Sequence, residues 1–109
     1  MIIDNIISLL EERERIATET QDNWYDGIEH CNQELVNLFA SNISDGITFL
    51  NETCSASQFV WLSEIIEDII EISHSKAFLD AYKTLSIKYA EETSRYNIKS
   101  FIDDAESNL

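Results

Sequence analysis

Residues 61–74 read WLSEIIEDIIEISH, and the fold follows from how this stretch is divided between core and solvent. Leu62, Ile65, Ile66, Ile69 and Ile70 recur at intervals of three and four, the spacing that lines one side of an α-helix. Gln58 and Phe59 extend that side backwards. Glu64, Glu67, Asp68 and Glu71 fall on the other side with no Lys or Arg near them in sequence. Ser55-x-x-Gln58 has the spacing of a capping box, so the stretch predicts one amphipathic helix from Ala56 to about Ser73.

Helical spacing of this kind extends over nearly the whole chain, and no segment alternates as a strand would. The chain has no proline, the residue that most strongly interrupts helices, and only two glycines. A first helix is predicted from Ile2 to Thr18, with Ile3, Ile6, Ile7 and Leu10 inward and residues 11–15, EERER, forming a solvated end. Thr18 and Gln21 have capping-box spacing, and a second helix follows from about Thr20 to Phe39. Its inward stripe is Trp24, Ile28, Cys31, Leu35 and Leu38, with Asp22, Asp26 and Glu29 opposite. Ser44 caps a short third helix carrying Ile47, Phe49 and Leu50 and ending near Cys54. After the fourth helix, Ser75 caps a fifth from Lys76 to Ala90 with Phe78, Tyr82, Leu85 and Tyr89 aligned. A sixth, from near Ser94 or Asn97, buries Ile98, Phe101, Ile102 and Ala105. At 109 residues the reading is one all-α domain, 1–109, a compact bundle or helix-pair stack of five to six helices with short polar connections.

No apolar run approaches the roughly 20 residues of a membrane span, and Asp4 stands where a signal peptide would be positive. The expectation is a cytoplasmic protein without membrane association. Cys31 and Cys54 are then reduced thiols packed as small apolar groups. The formal net charge is −14 and its distribution is uneven. From Met1 to Ser75, 15 acids face two bases, Arg13 and Arg15, for −13; from Lys76 onward, six acids face five bases, for −1. Such a field repels phosphates, which argues against direct nucleic-acid binding.

Four like-charged pairs along Glu64, Glu67, Asp68 and Glu71 destabilise a helix by roughly 1–2 kcal/mol in total before screening. A merely soluble face mixes signs, whereas Asp22, Asp26 and Glu29 on the second helix repeat the base-free pattern. These seven acids, with Tyr25 as an aromatic anchor beside the second stripe, are read as a surface for a basic protein partner. Trp61, at the edge of the apolar face, is a further candidate anchor, and both it and Tyr25 are at least equally suited to the core.

Catalytic and metal chemistry is poorly represented. Glu71 and His74 match the Glu-x-x-His spacing of di-iron bundles, but His30 follows Glu29 directly, so the second copy is missing. His74 is more simply a favourable neighbour of a helix C-terminus. Calcium-loop patterns starting at Asp22 and Ser41 carry the wrong residues at ligand positions. There is no glycine-rich phosphate loop, no Cys-x-x-Cys and no nucleophile–base arrangement, so an enzyme is not expected and no cofactor or metal is implied.

The segments FVWLSE, SKAFLDA, KYAEE and YNIKSFIDDAE, between about Phe59 and Glu106, resemble a family of small acidic helical bacterial proteins, and so, less closely, does WYDGIEHCNQEL. These look like the immunity proteins of contact-dependent growth inhibition and related polymorphic toxin systems. The sequence departs from that pattern at Ala90, where a Pro would follow the Tyr, so the last two helices join differently or run on. The resemblance implies a cytosolic protein that binds and blocks a co-encoded toxin domain, often a nuclease with a basic cleft. It assigns no contact residues, so the acidic stripes rest on charge alone. Two other classes fit the composition: an acidic helical adaptor with a constitutive partner, and a nucleic-acid-mimicking regulator of a basic host protein.

Overall fold

The computed structural model describes residues 2–20 and 25–109. All regular structure among them is helical: α1 (Ile2–Thr20), α2 (Tyr25–Ser41), α3 (Ile43–Glu52), α4 (Ala56–Leu62), α5 (Ile66–Ser73), α6 (Lys76–Lys88), α7 (Ala90–Arg95) and α8 (Ile98–Glu106). The all-α expectation holds, with eight helices among the described residues rather than five or six. α2 packs against α1 on one side and α5 on the other; α5 also packs on α8, and α3 packs on α6. One apolar core runs through these helices, with Ile6, Phe39, Phe49, Phe59, Ile66, Ile69, Phe78 and Tyr82 fully buried. A smaller cluster of Ile16, Ile28 and Cys31 closes the far end of the α1–α2 pair.

The two extra helices come from two breaks. Between Leu62 and Ile66, the N–H groups of Ser63, Glu64 and Ile65 bond to carbonyls three residues back, and the Ser63 hydroxyl donates to the Val60 carbonyl. Within this tightened 3₁₀-like turn Leu62, Ser63, Ile65 and Ile66 are all buried and Glu64 is exposed. The helix predicted from Ala56 to Ser73 is therefore two helices. Its start is as expected, since Ser55 and Gln58 form the reciprocal capping box. The second break is at Tyr89, whose hydroxyl donates to the Cys54 carbonyl at 2.8 Å and draws the chain inward. α6 therefore stops at Lys88 without a proline, and Thr93 Oγ1 bonds the Ser86 and Tyr89 carbonyls to turn the chain into α7. Asn97, at φ 52°, then separates α7 from α8; asparagine tolerates this left-handed conformation better than most residues.

Other boundaries also move. α1 runs on to Thr20, which places Thr18 inside it, and Gln21 lies outside the described residues. α3 begins after Asn42, not Ser44, and the Asn42 amide donates to the Leu38 carbonyl at the end of α2. Ser75 caps α6 as predicted, accepting from the Phe78 N–H. Phe101, expected in the core, is 38% exposed. Both cysteines are free and buried, in different clusters.

Candidate protein-interaction surface

The surface centres on α5. Ile66, Ile69 and Ile70 face the core, and the remaining arc carries Glu67, Asp68, Glu71 and Ile72, all exposed. Ile72 is 57% exposed, a large aliphatic side chain at the edge of an acidic patch. No basic side chain pairs with the three acids among the described residues. The reason is that the chain's few bases are engaged elsewhere. Arg15 bridges Glu12 and Glu19, and Lys76, Arg95 and Lys99 each hold the carboxylate four residues away in their own helix. Lys83 reaches Glu106, and Lys88 lies over the Tyr89 ring.

Glu64 does not belong to this row. It sits in the turn before α5, and Arg13 Nη2 donates to both its carboxylate oxygens at 2.8 and 2.7 Å. Asn32 Nδ2 lies 3.4 Å from the same carboxylate. The expectation of four unneutralised acids on one line is thus corrected to three. Arg13, expected in a solvated end, is only 6% exposed, with its guanidinium carbon 5.2 Å from the centre of the Trp61 ring. The signal was present in the sequence: Arg13 follows Ile6 and Leu10 at intervals of four and three and so points inward with them.

The break also changes what offsets the self-repulsion. Because α5 starts at Ile66, Glu67 and Asp68 stand in its first turn, where the helix dipole favours negative charge. Glu71, in the last turn, faces the unfavourable end of the dipole and two like charges, at Glu67 and Asp68. It is the acid that nothing within the helix stabilises.

On α2, Glu29 is exposed and precedes by one turn Asn32, which touches Glu64. Glu29 therefore lies on the edge of α2 turned towards the α4–α5 junction. Asp22 lies outside the described residues, as do the side chains of Tyr25 and Asp26, although α2 begins at Tyr25. Glu64 thus meets α2 at Asn32, one helical turn from Glu29.

Elsewhere, a shallow hollow of about 560 Å³ between α1 and α2 is lined by Leu9 and Leu38 together with amides and hydroxyls such as Asn5, Ser8, Asn37 and Ser41, with Glu34 its one titratable side chain. It holds no acid–base pair. No group of three or more His, Cys, Asp or Glu placed to hold a metal occurs among the described residues. His74 closes α5 in a left-handed conformation at φ 51°, with Nδ1 3.2 Å from the Asn108 carbonyl oxygen. Burial pushes the Cys54 thiol up to about 12, and it raises Cys31 and Tyr82 in the same direction. Within the described residues, no helix is long and apolar enough to cross a membrane. No family model, curated protein or solved structure matches the chain.

Proposed function

We propose that this chain is an immunity protein that binds a basic toxin domain, most simply a nuclease, through the acidic face of α5. The observation that carries this reading is the exposed row Glu67, Asp68 and Glu71, unpaired among the described residues, with Ile72 beside it. A basic cleft would relieve the repulsion at Glu71, and the field of a −14 protein would speed encounter. Ile72 would add a desolvated apolar contact at the edge of the charged patch. The likeness of FVWLSE, SKAFLDA and YNIKSFIDDAE to immunity proteins narrows the partner from any basic protein to a co-encoded toxin.

The test mixes the protein with the C-terminal domain of a toxin encoded immediately upstream of it and measures binding and toxin inhibition at several salt concentrations. Tight binding that weakens steeply with salt, and a loss of about tenfold or more for the E67K/D68K/E71K variant, are expected. Absence of a complex at low salt refutes the immunity reading. A complex indifferent to those three reversals refutes α5 as its surface.

A further inference from the structure

We infer that the groove between α4 and α7 seats an arginine side chain of the basic partner; this deepens the reading above and rests on it. The groove holds about 340 Å³ and is walled by Val60 and Trp61 from α4 and by Glu92, Arg95 and Tyr96 from α7 and its end. Tyr96 is 50% exposed and Trp61 is partly buried, so the groove presents two aromatic side chains in a setting that is neither core nor open surface. Trp, Tyr and Arg are the residue types that dominate binding energy in protein interfaces.

Charge decides the occupant. Arg95 is already held by Glu91 at 3.1 Å, whereas the partly buried Glu92 carboxylate has no basic partner among the described residues. Of the two charged residues that line the groove, Arg95 is thus turned to a carboxylate outside it, and Glu92 is left without a pair among the described residues, next to aromatic rings whose faces attract cations. Trp61 already shows this preference within the chain, taking the Arg13 guanidinium at 5.2 Å. A planar guanidinium stacks on aromatic faces while hydrogen-bonding a carboxylate, which favours arginine over lysine. A hollow of this size is too small for a helix about 10–12 Å across but admits one long side chain. The α4 wall of the groove leads through the turn at 63–65, where the Trp61 carbonyl accepts the Glu64 N–H, directly into α5, the helix that carries the acidic row. The row on α5 would then attract the partner and the groove would anchor it.

The test is an amide-resolved NMR titration of the intact protein with acetyl-Gly-Arg-Gly-amide and with its citrulline counterpart, which keeps the shape and lacks the charge. Saturable shifts at the Trp61 indole N–H, Glu92 and Tyr96 are expected with the arginine peptide, with a Kd on the order of millimolar. Glu92→Gln and Tyr96→Ala should each weaken that Kd by about threefold or more, and unchanged peak dispersion shows that both variants fold. Equal shifts with the citrulline peptide, or an unchanged Kd in both variants, overturn the inference. Shifts confined to Glu67, Asp68 and Glu71 also overturn it, while leaving the acidic-face reading of α5 intact. Groove shifts with no toxin complex refute the immunity reading alone.

Discussion

The Arg13–Glu64 pair predicts an asymmetry between two single substitutions. The Arg13 side chain is 7% exposed and that of Glu64 is 44% exposed, so the cation is the buried member and the carboxylate keeps contact with water. Glu64→Gln removes the counter-charge and leaves a guanidinium buried, with its Nε already lacking a hydrogen-bond partner. Breaking a fully buried pair in this way costs about 3–5 kcal/mol; the half-exposed position of Glu64 admits water and reduces the expected loss to roughly 1–2 kcal/mol. Arg13→Met replaces the buried cation with an apolar chain of similar length that still packs on Trp61, while the freed Glu64 is hydrated. Its expected cost is roughly 0–1 kcal/mol. Urea unfolding followed by circular dichroism resolves the difference, and a thermal scan should separate the variants by about 4 °C or more per kcal/mol. A loss in Arg13→Met equal to or larger than that in Glu64→Gln refutes the argument from burial. Arg13→Met should also tighten binding to a basic partner, because it returns a fourth acid to the surface.

Gly46→Ala would ordinarily stabilise a helix by about 1 kcal/mol, but here the new Cβ lies 2.9 Å from Phe39 and 3.0 Å from Phe78. Both rings are fully buried and packed edge to face, so overpacking of roughly 1–3 kcal/mol should win and lower the urea midpoint; a raised midpoint contradicts it. Glu71→Gln should stabilise α5 by roughly 0.5–1 kcal/mol at low salt, whereas Glu67→Gln trades relieved repulsion for a lost dipole contact and should gain nothing. A larger gain for Glu67→Gln would contradict that assignment. For Cys54 the folded thiol sits near 12 against an ordinary 9.0, so its contribution to stability is complete below about pH 9 and is lost as pH rises towards 12. The urea midpoint should fall from pH 9 to 11 and the native thiol should resist a disulfide reagent at pH 8; a flat midpoint or prompt reaction speaks against its burial.

Sequence spacing alone determined the helical class, the inward set Leu62, Ile65, Ile66, Ile69 and Ile70, and the Ser55–Gln58 and Ser75 caps, because these depend on neighbours within a few residues. The uneven distribution of the −14 charge was equally legible, since it is a matter of counting. The breaks at 63–65 and at Tyr89 were not. A continuous helix accounts for the same apolar spacing, and each break coincides with a contact to a distant element: Arg13 of α1 holds Glu64 at the first, and the Tyr89 hydroxyl reaches the Cys54 carbonyl at the second. The groove of Trp61, Glu92 and Tyr96 joins residues some thirty positions apart and has no local pattern. The count of unneutralised acids changed for the same reason. A charge's partner along the chain is visible three or four residues away, but its partner in space is chosen by packing, and packing gave Glu64 a cation while leaving Glu67, Asp68 and Glu71 without one among the described residues.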